Sequence, residues 1–554
     1  MSDADKEEKA IWSSVDRKSG ERIWQTHLTP QSDLTLKTIY AKPPAVIPIV
    51  FLPGIMGTNL RTRGKRDAVW RPPNGIVEKL SAVFTWMWRG PKTRQSMLDL
   101  RTVEVDPDGP IDVGDCGVSE ALARERGWGT VMKSSYHPVL AVMQKTLNAI
   151  AQYEAGTPLA SPRSGPALRG GWKMSGTLDP AEFGEQLGAP ALSEAELVKA
   201  AHYQFDVWCA GYNWLQSNRA SGEDVRDYIE HTVLAHYRGK GIPANKVILV
   251  THSMGGLVGR SLTELHKYDK VLGVVNGVQP ATGAPAFYHH ARCGYEGAEQ
   301  VVLGRNAGEV TAVIANAPGA LELAPSLDYD NGMPWLFLHD TKTNQVTALP
   351  AKKNPYEEIY ANPAWYGLVP EENSKYLNMQ GGVDKDPKYA PRDKFIKSIK
   401  KVEVFHRNVE KKYFSSTFIH YGAEVAFHSW HSITWRGDLV GLGLGSYIDD
   451  GNGVYSRREV VPVELRNSVS YVKKGVELKP GLSSRGGDGT VPAPSGAAPA
   501  HAKVAASFCH GSNGNGELNA AKGYDHQSSY QDSRAQWATL YSIIKIAQLA
   551  DWHE

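Results

Sequence analysis

One stretch near the middle of the chain leaves little freedom in how its surroundings fold: residues 246–259 read Lys-Val-Ile-Leu-Val-Thr-His-Ser-Met-Gly-Gly-Leu-Val-Gly. Val247 to Val250 is a short, uninterrupted aliphatic run rich in β-branched side chains, the pattern of a parallel strand covered on both faces. It runs straight into Ser253, flanked by His252 and small residues, and then into a helix. A serine so placed sits on a sharp strand-to-helix turn, its hydroxyl raised above the sheet with a helix N-terminus behind it, which is the shape of a nucleophile elbow. Gly255 and Gly256 suit a first helical turn that passes close to a neighbouring strand. The usual pattern is G-x-S-x-G, and Thr251 stands here where the first glycine is expected. The plainer alternative is an ordinary strand–turn–helix junction with Ser253 as its N-cap.

Other segments fit the same frame. Ala45 to Leu52 is a second aliphatic strand, ending in Pro53-Gly-Ile-Met-Gly57. Tyr203 to Trp214 reads as a strand closed by a polar loop, Gly222 to Tyr237 as a helix, and Lys270 to Val278 as a further strand. Strands alternating with helices predict a mostly parallel, doubly wound sheet. Val504 to Phe508 and Trp537 to Leu549 read as the last core strand and a closing helix. The expected organisation is a polar extension over 1–40, a core over 41–335 interrupted by an insertion at 60–200, a cap or lid over 336–480, and a return to the core over 481–554. Val139 to Tyr153 gives the insertion one amphipathic helix. Phe84-Thr-Trp-Met-Trp88, followed by Arg89 and Lys92, is either core or a patch for a membrane interface.

Composition removes several classes. Over 554 residues, 61 Lys and Arg stand against 59 Asp and Glu, so no strongly basic face for nucleic acid is implied. Cys116, Cys209, Cys293 and Cys509 are scattered without zinc-like spacing and read as free thiols, one disulfide remaining open. Neither a phosphate-binding glycine loop nor an HExxH pattern is present, so no cofactor or metal is expected. The charged start, Met-Ser-Asp-Ala-Asp-Lys-Glu-Glu-Lys, predicts synthesis in the cytoplasm without a signal peptide, with export by a signal-independent route left open.

A serine nucleophile needs a base, an acid that orients the base, and donors for the oxyanion. In the α/β-hydrolase order these follow as Ser, then Asp or Glu, then His, on loops after late strands. Asp488 in Gly486-Gly-Asp-Gly-Thr-Val-Pro492 is the candidate acid, and His526 in Gly523-Tyr-Asp-His-Gln-Ser-Ser-Tyr530 the candidate base. Taken singly, Asp488 is also a common turn residue and His526 one of 18 histidines; together with the elbow they stand in the required order. His252 adjoins the serine, where a side chain points away from Oγ, so it is read as support for the junction. The backbone N–H of Met254 and of Ile55 are the candidate oxyanion donors.

The segments Val50-Phe-Leu-Pro-Gly-Ile-Met-Gly-Thr-Asn-Leu60, Thr251-His-Ser-Met-Gly-Gly-Leu257, Ala315-Asn-Ala-Pro-Gly-Ala-Leu-Glu-Leu-Ala-Pro325 and Gly487-Asp-Gly-Thr-Val491 resemble the lipase branch of the α/β-hydrolases that includes lecithin–cholesterol acyltransferase and the GPI-inositol deacylases. Tyr212-Asn-Trp-Leu-Gln-Ser-Asn218, Gln279-Pro-Ala-Thr-Gly-Ala-Pro285 and Asp525-His-Gln-Ser-Ser-Tyr530 resemble its bacterial members, the antibacterial phospholipase effectors of type VI secretion systems. The resemblance implies Ser253 as nucleophile, Asp488 as acid, His526 as base, and Ile55 and Met254 as oxyanion donors. It also implies a membrane phospholipid ester as substrate in a target cell, a cognate immunity protein in the producer, and delivery with a secretion spike component. Hydrolysis by a phospholipase A is the leading expectation; acyl transfer through the same residues, or an inactive hydrolase scaffold used for binding, are the alternatives. The two insertions are expected to form a cap that opens at a lipid surface.

Overall fold

The structure, a computed structural model, describes residues 10–20, 22–27, 36–40, 45–71, 89–154, 167–168, 178–296, 300–379, 390–440, 442, 447–461, 470–480, 486–511 and 523–552. At its centre is a six-stranded sheet made of β1 (Val46–Leu52), β2 (Gln204–Cys209), β3 (Val247–His252), β4 (Val271–Gly277), β5 (Thr417–Gly422) and β6 (Ala506–His510). The spatial order is β2-β1-β3-β4-β5-β6, and every neighbouring pair is parallel. The strand that leads to Ser253 is thus central, with Val250 opposite Phe51 on one side and Val275 on the other.

The strands β1, β3 and β4 are buried from end to end, because each of their faces has its own core. Ile47, Ile49 and Phe51 of β1 join a cluster with Leu140, Met143, Ile543 and Ile546, from helices α1 (Lys133–Leu147) and α5 (Ser533–Ala547). The alternate residues Val46, Val50 and Leu52 join a second cluster with Val225, Leu257, Val258, Ile399 and Val402. Those belong to α2 (Asn218–Tyr228), α3 (Gly255–Arg260) and α4 (Pro391–Val409). Period-two alternation along a strand therefore feeds two apolar layers, and removing water from both is the main stabilising term of such a sheet.

One expectation needs correction. The stretch 336–480 is not all cap, since residues 417–422 form the fifth core strand. Thr417, His420 and Tyr421 break the aliphatic pattern that marked the other strands. Helix α1, expected within an insertion, lies against the core, where Gln144 Nε2 donates to the carbonyl of Phe205 in β2. Residues 1–40 contribute strands Ala10–Val15, Arg22–His27 and Leu36–Tyr40 to an antiparallel sheet that also holds Ala151–Glu154 and Ala167–Leu168. Within 336–480 a second six-stranded sheet is mostly antiparallel, with Leu336–Asp340 and Ile433–Gly437 as its parallel pair. The aromatic patch at 84–88 lies outside the described residues. All four cysteines are unpaired, and no described helix is long and apolar enough to cross a membrane.

Candidate active site

Ser253 stands at the carboxyl end of β3 with φ of 53°, a left-handed conformation that a non-glycine residue adopts at a cost of order 1–3 kcal/mol. Two close approaches force the turn. A Cβ on Gly255 would lie 2.4 Å from the carbonyl oxygen of Leu52, and one on Gly54 would lie 3.0 Å from Cβ of Ser253. The loop after β1 and the first turn of α3 are thus pressed against each other around the serine. Thr251 fits where glycine is usual because its hydroxyl, fully buried, donates to Oδ1 of Asn276 on β4 at 2.8 Å.

Asp488 and His526 arrive from loops beyond β5 and β6. Backbone pairing of Gly487 with Glu424, just past β5, fixes the first loop. Nε2 of His526 lies 2.8 Å from Ser253 Oγ, and its Nδ1 lies 2.7 Å from Asp488 Oδ2. A carboxylate only accepts, so Nδ1 of His526 carries the proton and Nε2 offers its lone pair to the serine hydroxyl. Asp488 is 1 % exposed, and its other oxygen accepts N–H bonds from Thr490 (3.0 Å) and Val491 (2.7 Å). A backbone bond of 2.7 Å from the N–H of His526 to the carbonyl of Asp488 ties the two loops directly. The three side chains that the sequence singles out are therefore brought into one hydrogen-bonded series, in the order that draws a proton from Ser253.

Met254 begins the helix directly behind Ser253, and Ile55 lies half-buried in the loop after β1. Among the described residues neither backbone N–H has a hydrogen-bond acceptor. Such donors, held by fixed backbone beside a nucleophile, suit an oxygen on which negative charge develops.

Sequence reasoning missed Tyr136. It enters from α1, and its hydroxyl accepts the N–H of Gly54 at 3.1 Å while contacting Nδ1 of His252 at 3.1 Å. Nε2 of His252 in turn meets the backbone carbonyl of His526 at 3.0 Å. Burial pushes the His252 imidazole down to about 3 and the Tyr136 phenol up to about 12, so both are neutral at working pH. The neighbouring Ser135 hydroxyl accepts from Gln527 at 2.8 Å. No spacing rule could have tied residue 136 to an elbow more than a hundred positions away. Among the described residues no group of three His, Cys, Asp or Glu converges as a metal site.

A parallel sheet whose central strand ends in a strained serine elbow, with Asp and His on later loops, defines an α/β-hydrolase. Residues 219–301, which include the elbow, match the family described as PGAP1-like alpha/beta domain. A solved structure, the crystal structure of the Tle4-Tli4 complex, is similar at 50% identity over 92% of this chain and 100% of that one, with a TM-score of 0.79. The chain belongs to this family of α/β-hydrolase lipases, the bacterial type VI secretion phospholipase effectors. No curated protein matches it.

Proposed function

We propose that the protein is a serine phospholipase of the A type that cleaves acyl esters of membrane phospholipids. Ser253 Oγ attacks the ester carbonyl as His526 Nε2 takes its proton, and Asp488 stabilises the imidazolium that forms. The N–H groups of Met254 and Ile55 receive the oxyanion. Collapse of the tetrahedral intermediate expels the lysophospholipid alcohol, protonated by His526, and leaves an acyl-enzyme. Water, activated by the same histidine, then releases the fatty acid. The observation that carries this reading is the pair of contacts at 2.8 and 2.7 Å that joins Ser253, His526 and Asp488.

In its biological setting the protein acts as an antibacterial effector. It is made in the cytoplasm, carried with a spike component of the type VI apparatus, and delivered to the membranes of a target cell. The Tle4-Tli4 complex supports a cognate immunity protein in the producing cell. The decisive experiment compares wild type with Ser253→Ala on phospholipid vesicles, checking by circular dichroism that the fold is kept. Fatty acid release should vanish in the variant; release at the wild-type rate would remove Ser253 from the mechanism.

A further inference from the structure

Three parts of the site must hold fixed relative positions for acyl transfer: the loop carrying Ile55, the elbow carrying Ser253, and the loop carrying His526. They come from the ends of β1, β3 and β6. The residue next to each functional group, or its own backbone, meets in one buried chain: Gly54 N–H to the Tyr136 oxygen, Tyr136 to His252 Nδ1, and His252 Nε2 to the carbonyl of His526. The directions are fixed by chemistry. A carbonyl only accepts, so Nε2 of His252 bears the proton; Nδ1 then accepts, which makes the Tyr136 hydroxyl its donor and leaves the phenol oxygen free to accept from Gly54. The tautomer of His252 is thereby fixed.

From this geometry we infer that Tyr136 and His252 are positioning residues, which set the oxyanion loop and the base at their working distance from Ser253 through a directed hydrogen-bond chain. The inference rests on the hydrolase reading given above. Its physical basis is the steepness of catalysis with geometry: misplacement by about 1 Å costs on the order of 100-fold in rate. Neither residue touches the reacting atoms. His252 bonds to the Tyr136 hydroxyl and to the backbone carbonyl of His526, and the Tyr136 phenol bonds to Gly54, His252 and the side chain of Gln527. The rings make the same point. Tyr136 and His252 pack edge-on at 5.3 Å, and His252 lies 5.0 Å from the ring of His526. Each part is therefore braced against the next by packing as well as by bonding.

The test uses the full-length protein, a soluble p-nitrophenyl ester and a fluorophosphonate that labels the active serine. Tyr136→Phe keeps the ring and deletes the hydroxyl. It is expected to lower kcat, and the labelling rate of Ser253, by tenfold or more, with KM within about threefold and the melting temperature within a few degrees of wild type. His252→Ala should be worse. His252→Gln, whose amide nitrogen reaches the His526 carbonyl and whose oxygen accepts from Tyr136, should recover most of the loss. The inference is overturned if Tyr136→Phe labels and turns over at the wild-type rate. It is equally overturned if activity merely follows the fraction folded and His252→Gln behaves like His252→Ala. Should Ser253 of the wild type fail to label at all, the hydrolase reading itself fails, which is a separate result.

Discussion

At the scale of single residues the site is held by atoms with no room to spare. Gly255 shows this most plainly. An added methyl would sit 2.4 and 2.6 Å from the carbonyl oxygens of Leu52 and Pro53, which are backbone and cannot swing aside. Gly255→Ala must therefore push α3 off β1 and displace Ser253. Expected outcomes are a loss of about 1–3 kcal/mol in denaturant unfolding and a fall in kcat of at least tenfold, both measurable on purified protein. Asp488→Asn tests the other end of the series. The amide is nearly isosteric, but its acceptance of the His526 proton is compromised, and a drop in kcat of about 10⁴ is expected on an ester substrate with the fold unchanged. A loss below tenfold would mean that Asp488 does not set the tautomer of His526. Ser253, Asp488 and His526 were legible in the sequence because a nucleophile turn and a glycine-bound carboxylate leave local marks. Tyr136 was not, since a tyrosine in an amphipathic helix looks the same whether it packs or braces.

At the scale of elements, legibility followed aliphatic runs rather than burial. The strands β1, β3 and β4 are covered on both faces and were visible as aliphatic runs. Strand β5 was hidden because His420 and Tyr421 interrupt such a run, although all six of its residues are buried. The antiparallel sheet at the N-terminus was hidden because its strands mix apolar with polar residues and form no aliphatic run. A different element, the short helix Pro91–Met97, is held by one buried cation. Arg94 pairs with Glu309 at 3.3 Å and donates to the carbonyls of Arg89, Val301 and Val302. Gln95 adds bonds to the carbonyls of Ala312 and Tyr376. Together they tie this helix to Val301 and Val302, to helix Ala307–Ile314 and to Tyr376. Arg94→Met removes the partner of a buried carboxylate and several carbonyls at once. A destabilisation of about 3–5 kcal/mol is expected by urea unfolding. A change under 1 kcal/mol would show that Glu309 is satisfied by Arg305 alone, with which it also pairs.

At the scale of the whole molecule, several histidines are buried in the neutral form. Desolvation pushes His137, His290, His406 and His510 down to about 4 and His252 and His289 to about 3. In the unfolded chain these groups titrate near 6.5. Below that value the unfolded state binds protons that the folded state refuses, so their contribution is complete above pH 6.5 and is lost as pH falls towards 4. Each costs up to about 1.4 kcal/mol per pH unit within that window. Glu322 acts in the other direction: burial raises its carboxyl to about 8, so the fold loses stability from this group as pH climbs from the unfolded value of 4.5 towards 8. Six histidines outweigh one carboxyl, and the melting temperature by calorimetry should fall steadily from pH 7 to pH 5. A flat profile over that range would contradict the burial of these rings.

The bond between Ser253 and His526 spans 273 positions of chain. A ribosome adding about 5–20 residues per second makes the elbow on the order of tens of seconds before His526. Throughout that interval a nascent chain carries Ser253 without its hydrogen-bond partner, and any product of early termination or proteolysis that lacks the last loops is in the same state. On the mechanism proposed above, incomplete copies are inactive by chain order alone.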